Sequence, residues 1–168
     1  MQKELITTDA QQTQEMGRML AAELRGGETI CLSGELGAGK TTFTQGLLGG
    51  LGLEGPFTSP TFLIMKEYIR EISKSKCQIS NKISGYARSG EARKIPKSKI
   101  QKVYHIDAYR IGTEDILALG WKEMVVNPNN VIIIEWAERV KDVIPKDALW
   151  IDFEWIGEEE RKIILKSE

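Results

Sequence analysis

A glycine-rich octet, Gly34-Glu35-Leu36-Gly37-Ala38-Gly39-Lys40-Thr41, constrains this chain more than any other feature. It follows the pattern G-x-x-x-x-G-K-[ST], which carries physical meaning when a strand runs into it and a helix leaves it. Both flanks are legible. Thr29-Ile30-Cys31-Leu32-Ser33 is short, β-branched and apolar, as a buried parallel strand requires. From Lys40 onward Phe43, Leu47, Leu48 and Leu51 recur at helical spacing, and Gly49, Gly50 and Gly52 mark the expected end. Glycines let successive backbone N–H groups turn inward on phosphate oxygens, and the helix N-terminus adds partial positive charge. Lys40 is placed to reach the β- and γ-phosphates of ATP or GTP. The Thr41 hydroxyl takes one position on Mg²⁺, with Thr42 beside it. A turn with an incidental lysine would share these letters, but a chance match in so short a chain is on the order of one in a hundred.

The rest of the pattern predicts an α/β fold. Asp9 precedes Met16, Leu20 and Leu24 on one helical face, with Gln12 completing a capping-box pattern and Gly26-Gly27 stopping the helix. Residues 62–68, 103–107, 131–135 and 149–155 read as strands, and 161–165 as the return of a hairpin. Residues 114–119 and 138–143 read as short helices. This predicts a P-loop domain with a mixed, mostly parallel central sheet flanked by helices and antiparallel pieces at the C-terminal edge. At 168 residues the chain is expected to form one domain, residues 1–168, with a core that needs no disulfide or metal staple.

Two cysteines are too few for a secreted disulfide scaffold, residues 1–14 lack the apolar core of a signal peptide, and no run of about 18 apolar residues exists. A cytoplasmic protein without a membrane segment is expected. The net charge of −1 hides an asymmetry: residues 69–102 hold ten Lys/Arg against two Glu, the remainder 13 against 22. This basic stretch, rich in Lys, Ser and Ile, reads as a solvated inserted loop. Its charge would also attract nucleic-acid phosphates or an acidic partner through a salt-sensitive term.

A P-loop needs a carboxylate at the end of a neighbouring strand to hold Mg²⁺ or its waters. Val131-Ile132-Ile133-Ile134-Glu135 and Val103-Tyr104-His105-Ile106-Asp107 both supply one at the sheet edge that carries nucleotide in open α/β folds. Glu135 and Asp107 are thus candidates for catalysis and metal binding, beside Lys40. His105, the sole histidine, reads as structural support; Cys31, Trp121, Trp150 and Trp155 read as packing groups.

The octet with Thr42-Phe43, then Ser59-Pro60-Thr61-Phe62, Tyr104-His105-Ile106-Asp107-Ala108-Tyr109-Arg110 and Ile134-Glu135-Trp136, resembles in order the motifs of the TsaE family. That family is the P-loop ATPase of bacterial tRNA threonylcarbamoyladenosine (t⁶A) synthesis. The resemblance implies ATP and Mg²⁺ as cofactors, Thr41 and Glu135 at the metal, and Asp107 as a carboxylate needed for activity. It implies a switch-like loop at Thr61 and an aromatic at the nucleotide site in Trp136. Thr13 and Arg161 match a threonine near the nucleotide and a C-terminal basic residue. It also implies hydrolysis of ATP while docked on the TsaB and TsaD partners, with tRNA met indirectly or through the basic insertion. Without the resemblance, the same residues also fit a small-molecule P-loop kinase or a non-catalytic ATP-dependent interaction module.

Overall fold

The computed structural model describes residues 2–60, 63–70 and 99–166. Thr61, and residues 71–98 of the basic insertion expected at 69–102, lie outside the described residues.

Among the described residues, seven strands form one sheet: β1 (Gln2–Thr7), β2 (Thr29–Ser33), β3 (Met65–Ile69), β4 (Lys102–Asp107), β5 (Asn130–Glu135), β6 (Leu149–Trp155) and β7 (Arg161–Lys166). Their order is β1-β7-β6-β2-β5-β4-β3. The four central strands β6, β2, β5 and β4 are parallel. Antiparallel strands finish both edges, β7 and β1 on one side and β3 on the other. The mixed sheet matches expectation, although antiparallel pairing is not confined to the C-terminal edge.

The apolar central strands bury both faces, as a parallel sheet between helices must. On one face Ile30, Leu32, Val131, Ile133 and Ile151 pack with residues of α1 (Ala10–Glu23) and α2 (Lys40–Gly50). On the other, Cys31, Tyr104, Ile106, Ile132 and Ile134 meet α3 (Thr113–Ala118), α4 (Trp121–Val126) and a 3₁₀ segment, Ala137–Val143. Burial pushes the Cys31 thiol up to about 12, leaving it an inert core group.

Asp9 caps α1 by accepting from the Gln12 backbone N–H at 2.7 Å, while the Gln12 side chain reaches the Thr8 N–H at 3.1 Å. Helix α2 runs through Gly49 and Gly50, and Gly52 beyond it takes a left-handed φ of 78°. The sequence reading missed β1 and α4. It also misjudged Trp155, which is 65 % exposed at the far end of β6, with the Arg161 guanidinium 5.9 Å from its ring. Trp121 does pack, donating its indole N–H to the Val143 carbonyl at 2.9 Å.

Helices α1 and α2 approach so closely that the contact is made through glycines. A Cβ on Gly46 would lie 1.9 Å from the Gln14 carbonyl oxygen, and one on Gly17 would lie 2.2 Å from that of Phe43. Both obstacles are backbone, which cannot rotate away. Gly46→Val is therefore expected to cost about 3 kcal/mol and lower the melting temperature by roughly 10 °C, measurable by circular dichroism.

Candidate functional site

The parallel register sets the site. β2 ends at the octet, its neighbour β5 ends at Glu135, and the next strand, β4, ends at Asp107, which is paired side by side with Glu135. The loop leaving β2 turns at Gly34, whose φ is 127° and whose Cβ, if present, would strike the Phe153 carbonyl at 2.2 Å. Gly39, also left-handed, is the N-cap of α2. Only residues without a side chain fit at these two positions.

Lys40 lies buried inside the loop. Its ammonium donates to the carbonyl oxygens of Gly34 and Glu35 and stands 3.9 Å from the centre of the Trp136 ring. Desolvation pulls the Lys40 pKa below its ordinary 10.5, opposed by the nearby carboxylates of Glu135, Glu138, Asp107 and Glu35. Trp136 also stacks on Tyr109, with ring centroids 4.9 Å apart.

Thr41 donates its hydroxyl to Glu135 Oε2 at 2.8 Å. The other Glu135 oxygen, Oε1, lies 2.8 Å from His105 Nε2. Asp107 accepts from the Ser59 hydroxyl at Oδ2 and from the Tyr109 backbone N–H at Oδ1, both at 2.9 Å. Two non-glycine residues near these carboxylates, Ile64 and Trp136, have left-handed φ values of 66° and 60°. Such conformations cost energy and cluster at functional sites. Ile64 hydrogen-bonds to both ends of the arrangement: its N–H donates to the Pro60 carbonyl, and its own carbonyl accepts from Asp107 N–H.

Lys40, Thr41, Thr42, Asp107, Glu135 and Trp136 all line one cavity of about 370 Å³, together with Leu36, Gly37, Gly39, Ser59 and Tyr109. Thr13 and Arg161 do not reach it. They line a second cavity of about 170 Å³ behind the same loop, sharing Gly37, Gly39 and Thr42 with the first. There Thr13 hydrogen-bonds to Thr7 at 2.8 Å, and Arg161 donates Nε–H to the Gly37 carbonyl at 3.2 Å. Glu35 and Ala38 shape the loop itself, with Ala38 N–H donating to the Glu35 carbonyl. Ser59, Tyr109 and His105 are the members of this arrangement that the sequence reading did not place there. Ser59 and Tyr109 belonged to motifs it quoted, but no spacing rule showed that they would bind or neighbour Asp107.

The set of donors suits magnesium. A hydroxyl and carboxylate oxygens are hard ligands, and Mg²⁺ typically takes one or two carboxylates and completes its shell with water and phosphate oxygens. Among the described residues no three His, Cys, Asp or Glu form an all-protein cage.

A family profile described as "Threonylcarbamoyl adenosine biosynthesis protein TsaE" matches residues 7–78 and 91–163. The tRNA threonylcarbamoyladenosine biosynthesis protein TsaE of Bacillus subtilis is 31 % identical over 157 residues, covering 94 % of this chain and 80 % of that protein. The protein of the same name from Aquifex aeolicus is 31 % identical over 163 residues, covering 96 % and 93 %. A crystal structure of YdiB from Bacillus subtilis superposes with a TM-score of 0.67 at 26 % identity, covering 99 % of this chain and 86 % of that one.

Proposed function

Because the chain belongs to the TsaE family, whose members take part in tRNA threonylcarbamoyladenosine biosynthesis, we propose that it hydrolyses ATP with Mg²⁺ in support of the TsaB and TsaD threonylcarbamoyl transfer machinery. The observation that carries this reading is the 2.8 Å contact between Thr41 and Glu135, 94 residues apart in sequence, beside the phosphate cradle.

The octet's N–H groups and Lys40 bind the phosphates, Thr41 and Glu135 hold the cation, and Asp107 lies at the adjacent strand end where an attacking water would be oriented. Bound Mg²⁺ supplies charge neutralisation on the β- and γ-phosphate oxygens. Water bonds to the γ-phosphorus as the bond to the bridging oxygen breaks, giving ADP, inorganic phosphate and a proton released to solvent. Lys40 exchanges its contacts with the Gly34 and Glu35 carbonyls for contacts with phosphate oxygens. Thr13 and Arg161, behind the loop, would contact the nucleotide from the second cavity. Thr61 would act near the γ-phosphate, following Ser59 in the chain. The whole chain is read as one P-loop domain, with tRNA met through the partners or the basic insertion. No helix among the described residues is long and apolar enough to cross a membrane.

The test is reconstitution with purified TsaB and TsaD. Phosphate release from ATP is expected without any added acceptor, and is expected to rise when the partners are present. Phosphate transfer to a small molecule, with no release in its absence, would establish a kinase instead. Sustained t⁶A formation by a Glu135→Ala, Asp107→Ala double variant would establish a non-catalytic module.

A further inference from the structure

Among the described residues, one buried side-chain polar atom has no hydrogen-bond partner, Nδ1 of His105. The ring is 1 % exposed, and its other nitrogen pairs with Glu135, whose side chain is 3 % exposed. His105 and Asp107 are two residues apart on β4 and so share a face of the sheet. Register places His105 beside Ile133 and Asp107 beside Glu135, so the ring meets the Glu135 carboxylate along a diagonal.

As a packing group the imidazole is poor. An unpaired buried nitrogen carries a desolvation penalty that an aliphatic side chain at the same position would not incur. What the ring supplies that Val103 or Ile133 cannot is a directed N–H. A carboxylate oxygen only accepts, so the pairing assigns a proton to Nε2, which donates to Glu135 Oε1. Glu135 Oε1 is thereby occupied, and Oε2 is the oxygen turned to Thr41.

We propose that His105 is a positioning residue for the divalent-cation centre, holding Glu135 Oε1 so that Oε2 faces Thr41 and the phosphate cradle. This rests on the ATP and Mg²⁺ reading above. Partners that orient a metal-binding side chain are typically worth ten- to a hundredfold in metal affinity.

The experiment measures ATP binding by calorimetry, with and without Mg²⁺, for the wild type, His105→Phe, His105→Gln, Glu135→Ala and the His105→Phe, Glu135→Ala double variant. His105→Phe is expected to raise the Mg²⁺ concentration for half-maximal effect by roughly ten- to a hundredfold, leaving metal-free ATP affinity within about twofold. His105→Gln, whose amide can also donate to Oε1, is expected to recover most of the loss. On the Glu135→Ala background His105→Phe is expected to add nothing. An unmoved Mg²⁺ midpoint, an equal loss of metal-free binding, a failed glutamine rescue or an additive double variant would overturn the proposal. If His105→Phe does not fold, His105→Asn, too short to reach Oε1, replaces it with the same outcomes. A wild type whose ATP affinity ignores Mg²⁺ would overturn the proposed function together with this inference, whereas an unmoved His105→Phe midpoint beside a responsive wild type overturns only the inference.

Discussion

Lys40→Ala is expected to weaken ATP binding by roughly a hundredfold, about 3 kcal/mol, because it removes the cation that charge-assisted contacts to phosphate require. The ligand-free protein should not suffer in proportion. The Lys40 ammonium is buried, and desolvation lowers its pKa against the pull of four carboxylates. The folded state therefore binds fewer protons here than the unfolded chain at pH values between the lowered pKa and 10.5. Stability from this group is fully present above 10.5, where lysine is neutral in both states, and is lost as pH falls through the folded value. Compared with Lys40→Ala, the wild type should thus gain thermal stability as pH rises toward 10.5. Equal ATP affinities for the two proteins, or a stability difference that shrinks over that range, would contradict the description of Lys40 as a desolvated phosphate ligand.

Much of this site was legible because its parts are local. A strand, six loop residues and a helix adjoin in the chain, so Gly34, Gly39, Lys40 and Thr41 could be read together without knowing the tertiary fold. Asp107 and Glu135 were legible for a related reason: each ends an apolar strand, and strands of a parallel sheet bring their C-terminal ends to one edge. What the pattern could not give was register and direction. The pairing of His105 with Glu135 spans 30 residues and depends on how two strands align, so the ring's single hydrogen bond was hidden behind a reading of structural support. Strand β1 was missed because Gln2-Lys3-Glu4 is polar, as an edge strand can be; its pairing with β7 is a tertiary choice. Helix α4 lasts only six residues and follows α3 directly across Gly120, so no loop of its own marks its start. Trp155 was misread because apolar character alone does not say whether helices cover that end of the strand. Thr13 and Arg161 entered through family resemblance, and they meet a cavity behind the loop, separate from the one holding Lys40.

Asp107→Asn and Glu135→Ala should both slow phosphate release by a hundredfold or more, on the order of the effects that positioned acid–base groups supply, but for separable reasons. Glu135 shares a hydrogen bond with Thr41, the residue that follows the P-loop lysine, and under the proposed function these two would hold the cation. Asp107 is tied instead to the Ser59 hydroxyl and the Tyr109 backbone N–H, in the same cavity. Glu135→Ala is therefore expected to remove the Mg²⁺ dependence of ATP binding, leaving metal-free affinity near the wild-type value. Asp107→Asn keeps an acceptor oxygen for Ser59 but loses the negative charge that polarises water, so Mg²⁺-dependent binding should persist while turnover falls. Single-turnover phosphate release and equilibrium ATP binding, measured on the same preparations, separate the two. If the pattern is reversed, with Asp107→Asn losing the metal response and Glu135→Ala keeping it, the carboxylates have exchanged roles. Equal defects in both measurements would instead mean that the adjacent strand ends hold one shared metal site, with water oriented from elsewhere.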